Sequence, residues 1–210
     1  MELHTWLLFT GVALVAIVSP GPAVLLAINN ALAHDLKTVA LSSLGNVLGL
    51  FTLSSAAMLG LGVLLHTSVY LFLSFKIVGA LYLIYLGIKQ FRNLGNAFTA
   101  LHVKEKKSKK ELFGFFKNGY LICATNPKPI IFFTALFPLF MEVNRPILPQ
   151  FFILTLTFMT LSFMTLILYA YFARSLKSWF ALPQRAAWFN KISGLLFVGL
   201  GVGLLGLERR

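Results

Sequence analysis

Ser19-Pro20-Gly21-Pro22 interrupts an apolar run, about Thr5 to Ala33, that is long enough to cross a bilayer. Two prolines remove backbone donors, and with the glycine they break any helix the run forms. In hydrocarbon a broken helix persists only where protein or a water-filled cavity covers the freed amides and carbonyls. A second interruption of the same kind, Asn126-Pro127-Lys128-Pro129, follows 107 residues later in a chain of 210. Paired interruptions at corresponding places in two halves point to a transporter's substrate site.

Composition agrees with a membrane setting. The chain is 58% hydrophobic and 11% charged, against about 25% charged in a soluble domain. At ~20 residues per spanning helix, it has room for about six spans and no separate soluble domain. The expected fold is all-α, a six-transmembrane 3+3 inverted repeat with helices 1 and 4 broken. It forms one membrane domain, 1–210, made of a first three-helix half (1–91), a basic cytoplasmic loop (92–117) and a second three-helix half (118–210). The first run is read as a retained span, because only Glu2 and His4 precede it and it outlasts a signal peptide's apolar region.

The net charge of +12 lies in loops between apolar runs, where it orients helices and meets anionic headgroups. That placement argues against a nucleic-acid partner and for membrane lipids. Lys37, the cluster from Lys89 to Lys117, and Arg174, Lys177, Arg185 and Lys191 follow spans one, three and five. The opposite side shows Arg145, Arg209 and Arg210. The positive-inside rule then places both termini outside. Three spans per half is an odd number, so the halves insert with opposite orientation.

The residues suited to binding cluster at the two breaks. Free amides at the start of a half-helix favour an anion such as a carboxylate, and freed carbonyls favour an ammonium. The candidate substrate-binding residues are Ser19, Pro20, Gly21, Pro22, Asn46, Asn126, Pro127 and Lys128. Lys128 lies 11 residues past Lys117, about 16 Å along a helix, and a charge at that depth marks function by default. Capping of carbonyls freed by Pro127 and Pro129, or snorkelling, stays open beside carboxylate binding. Lys76 is read as snorkelling. Asn29, Asn30 and Asn46 either bind substrate or tie helices together. Gly45, Gly49, Gly79 and Gly87 are candidate helix-packing positions.

Span five carries Thr155, Thr157, Thr160, Ser162 and Thr165, a hint of a polar substrate side chain. Cys123 is alone, which excludes a two-thiol relay, and reads as a small core residue. The histidines fall at span ends or in loops, against a buried metal. No metalloprotease helix, serine elbow or phosphate loop is present, so neither a cofactor nor an enzyme is expected.

Ser19-Pro20-Gly21-Pro22, Gly45-x-x-x-Gly49, the run Gly79 to Gly87, Asn126-Pro127-Lys128 and the run Gly194 to Gly199 together resemble the LysE/RhtB family of amino-acid exporters. The likeness is nearer to its homoserine, threonine and leucine branch. It implies a bacterial inner-membrane efflux transporter, an antiporter for a neutral amino acid or close analogue driven by protons, with alternating access. Family members often carry an acid in span two or five; here Gly49-Leu50-Phe51 and Thr157-Phe158-Met159-Thr160 have none. A membrane scaffold or assembly subunit is the alternative, and a channel is disfavoured by the absence of acidic rings. A homo-oligomer is left open.

Overall fold

The structure is a computed structural model of the whole chain, and it describes residues 1–19, 21–64, 69–92, 112–142, 144–173, 175 and 182–206. Pro20, the Lys76 side chain, the surroundings of Gly79 and most of the basic loop (93–111) lie outside what the structure describes. Among the described residues the chain is all-α: α1 (Leu3–Val18), α2 (Pro22–Ala33), α3 (Leu36–Leu64), α4 (Val69–Arg92), α5 (Leu112–Thr125), α6 (Pro127–Ile131), α7 (Ile147–Tyr171) and α8 (Pro183–Gly206). Among the described residues a broken helix is followed by a long unbroken one and a third, first in α1–α4 and again in α5–α8.

Both breaks fall at the proline motifs. α1 and α2 meet at 55°, and α5 and the segment Pro127–Phe140 at 52°. Each helix restarts with proline at its first position, where no N–H is needed. After α6 the chain relaxes into a π turn at Phe132–Leu136 and a 3₁₀ turn at Phe137–Phe140. Thr134 Oγ1 donates back to the Ile130 carbonyl at 2.9 Å, a bond that loosens helical geometry. By length and hydropathy, α3, α7 and the two bent pairs can each cross a membrane.

Backbone contact fixes the helix packing. A Cβ on Gly45 of α3 would run into the Phe116 carbonyl of α5, and one on Gly119 into the Ser42 carbonyl. On Gly49 it would meet Cys123 Cβ at 2.7 Å. From Gly45, against Phe116 and Tyr120, to Gly49, against Tyr120 and Cys123, the partners advance with the chain, so α3 and α5 run parallel. α4 and α8 run antiparallel: a Cβ on Gly87 would sit 2.6 Å from the Gly194 carbonyl oxygen, and one on Gly201 2.8 Å from that of Ala80. Such close approach lets dispersion act without a hydrophobic drive between helices.

Two apolar cores form, one on each side of the first break. One is a phenylalanine cluster of Phe9, Phe132, Phe133, Phe137, Phe140, Phe151 and Phe158, all buried. Its rings meet edge-on or tilted, with centroids 4.7 Å apart for Phe132 and Phe158 and 5.3 Å for Phe9 and Phe140, arrangements that aromatic quadrupoles favour. The other joins Val24, Ala27 and Ile28 of α2 to Leu166, Tyr169 and Ala170 of α7.

At the end of the molecule beyond the phenylalanines, Arg145 pairs with Glu142 at 2.6 Å and Glu2 at 3.5 Å. The Glu2 backbone N–H also donates to Glu142. Gln150 is buried and holds this turn, donating to the Glu142 carbonyl at 3.0 Å and accepting from its N–H at 2.8 Å. At the opposite end Asp35 caps α3, accepting from the Thr38 N–H and hydroxyl, each at 2.8 Å. Those bonds hold its carboxyl below the usual carboxylate range.

Candidate functional site

A cavity of about 50 Å³ occupies the gap between the two cores. It exists because both breaks interrupt packing at one place. Ala16, Ile17, Ser19, Gly21, Ala23 and Val24 line it from the first broken helix; Asn126, Lys128, Pro129 and Phe132 line it from the second. Asn46 and Leu50 of α3, with Phe158, Ser162 and Leu166 of α7, complete it. Its volume holds more than one water, since a single water needs only about 10–15 Å³ on this measure.

The Lys128 side chain crosses from one break to the other. Its Nζ donates to the Ser19 carbonyl oxygen at 2.6 Å. The lysine therefore caps the opposite break, not the carbonyls freed beside it by Pro127 and Pro129. Its own backbone N–H donates to Asn126 Oδ1 at 3.1 Å, so Asn126 is the cap of α6. Tyr169 of α7 donates its hydroxyl to the neighbouring Val18 carbonyl at 2.7 Å. Two consecutive carbonyls at the end of α1 are thus held by side chains from the second half.

At the start of α2 the N-cap Gly21 supplies no side-chain acceptor, and the first intrahelical bond is from the Leu25 N–H to the Gly21 carbonyl, 3.0 Å. The Ala23 and Val24 amides precede that bond and belong to residues lining the cavity; helices leave such early amides free. Across the cavity Asn46 Nδ2 donates to Ser162 Oγ at 3.2 Å. Nearby, Asn30 Nδ2 donates to Ser42 Oγ at 3.0 Å.

The two breaks are brought together, and Ser19, Gly21, Asn46, Asn126 and Lys128 all line the cavity. Pro22 and Pro127 are exposed and do not line it; their part is to start α2 and α6. Of the hydroxyls in span five, Ser162 alone among the described lining residues reaches the cavity. Thr157 instead accepts from Trp6 Nε1 at 3.0 Å, and Thr155 is wholly buried elsewhere. Sequence reasoning placed Pro129 in the second break but not among the binding candidates, and it missed Tyr169. The only signal for Tyr169 was a phenol inside an apolar run, where its hydroxyl must find an acceptor.

Apolar helices broken twice around a shared cavity that carries a lysine define a membrane transporter. The chain belongs to the LysE type translocator family, whose profile matches residues 14–207. It is 31% identical over 202 residues to an uncharacterized membrane protein of Vibrio cholerae, covering 96% of this chain and 97% of that one. It is also 31% identical over 201 residues to a homoserine/homoserine lactone efflux protein of Salmonella typhi, covering 96% of each chain. The Salmonella typhimurium protein of the same name is 30% identical over 201 residues, again 96% of each. No solved structure matches.

Proposed function

We propose that this chain exports a neutral amino acid or close analogue, of the homoserine, threonine or leucine type, across a bacterial inner membrane. The observation that carries the reading is the Lys128 ammonium bonded across two helix breaks beside a cavity. The substrate carboxylate meets Lys128 and the Ala23 and Val24 amides; its ammonium meets carbonyl oxygens at the end of α1. Pro20 removes the N–H that the Ala16 carbonyl would otherwise accept, so that carbonyl is one acceptor. A small side chain packs against Leu50, Phe132, Phe158 and Leu166. The efflux names of relatives at about this identity support the export direction.

The working fold is six spans in two inverted halves, with both termini periplasmic and the proton gradient as the driving force. The repeated element order, the parallel α3 and α5 and the antiparallel α4 and α8 fit that scheme. In alternating access the phenylalanine cluster and the Glu2–Arg145–Glu142 contacts close the periplasmic side, and their separation opens it. The test is counterflow: proteoliposomes loaded with each neutral amino acid are scored for uptake of a labelled counterpart. Exchange of one or more of them is expected. Correctly inserted protein that exchanges none refutes transport and favours a scaffold.

A further inference from the structure

We infer that the site reads a carboxylate together with a hydrogen-bond donor on the adjacent carbon, and therefore takes small 2-hydroxy acids as well as 2-amino acids. This rests on the proposed transport site. An ammonium has three donors, and among the described residues Lys128 uses one, on the Ser19 carbonyl. Its remaining donors have no protein acceptor there and no carboxylate lines the cavity. A half-buried cation left in that condition calls for an anion. A carboxylate takes the free donors at about 2.7–2.9 Å.

The Ser19 carbonyl supplies the second half of the reading. A carbonyl oxygen has two lone pairs, and Lys128 occupies one. With Nζ and Ser19 O only 2.6 Å apart, a ligand whose bonds to the two run side by side carries its anion and its donor at a similarly short separation. A group on the carbon beside the carboxylate meets that condition; one a carbon further away overshoots. An ammonium in this place lies near the Lys128 ammonium, and no lining carboxylate among the described residues offsets the repulsion. A hydroxyl makes the same bond to Ser19 without that charge. The amine is thus dispensable where an alcohol replaces it.

A four-carbon series tests this on the purified full-length protein, by binding calorimetry in detergent and by competition against labelled threonine counterflow. 2-Aminobutyrate and 2-hydroxybutyrate are expected to bind within about threefold of each other. Butyrate and 3-hydroxybutyrate, lacking the bond to Ser19, should be about tenfold weaker or more, the worth of one hydrogen bond. Propylamine, a cation without a carboxylate, should not compete, and Lys128→Met should lose 2-hydroxybutyrate binding. If 2-aminobutyrate binds while 2-hydroxybutyrate is no better than butyrate, the inference is overturned and amino-acid export stands. If 2-hydroxybutyrate binds but no amino acid is exchanged, export fails and the recognition stands. Binding of neither overturns the inference, and export falls with it where no neutral amino acid is exchanged in the counterflow assay.

Discussion

Replacing Lys128 by methionine removes the charge and keeps most of the side chain's length and apolar contact. Its effect on substrate affinity follows from an exchange of partners. At an effective dielectric of about 20, an ammonium 4 Å from a carboxylate gains about 4 kcal/mol. Binding keeps the 2.6 Å bond to the Ser19 carbonyl but takes water from the free Lys128 donors, and a hydrogen bond to a charged group is worth about 1.5–3 kcal/mol. The difference, about 1–2.5 kcal/mol, corresponds to roughly 5- to 70-fold weaker binding. The half-saturation concentration for counterflow in proteoliposomes reads this directly. Lys128→Met also leaves the Ser19 carbonyl without its donor, a loss of about 1–3 kcal/mol if the oxygen stays buried. Thermal unfolding in detergent should therefore be recorded beside transport. Normal folding with half-saturation within twofold of the parent would show that Lys128 only ties the two breaks together.

Tyr169→Phe deletes the donor to the Val18 carbonyl and should lower stability by about 1–3 kcal/mol, seen as an earlier thermal midpoint; an unchanged midpoint refutes a capping role. Gly45→Ala places a methyl against the Phe116 carbonyl, and forcing α3 from α5 should cost about 1–3 kcal/mol. Gly11→Ala, in the interior of α1 with nothing within 4 Å of its new Cβ, is the matched control and should be more stable than the parent by about 0.5–1 kcal/mol, the helix preference of alanine over glycine. Arg145→Ala breaks an exposed pair with Glu2 and a part-buried one with Glu142; exposed pairs are worth about 0–1 kcal/mol, so folding should hold while the salt dependence of transport weakens. Asp35 has a lowered carboxyl pKa, so its cap is fully present above its unfolded value, about 3.9. The contribution fades as pH falls through the lower folded value. Asp35→Asn keeps the capping geometry without the charge and should flatten this acid limb in a detergent unfolding series below about pH 4.

What the sequence determined by itself is local and covalent. Pro20, Pro22, Pro127 and Pro129 lack N–H groups, so both apolar runs had to break where they do, whatever surrounds them. The low charge content required a membrane, and the hydrophobic runs required helices. Gly45 marked a close approach, because no other residue leaves room for a neighbouring carbonyl. Only the tertiary structure decided which broken end meets which. Lys128 lies 109 residues from the carbonyl it caps, and Tyr169 lies 151 from its own. Neither pairing has a periodic or motif signature, since it depends on how three separate helices cross. The same holds for span five, where spacing could not tell Ser162, on the cavity, from Thr157, spent on Trp6. Hydroxyls on one helix look alike until their neighbours are in place. A cavity is the space that packing fails to fill, and packing is a property of helices together, not of any one stretch of chain.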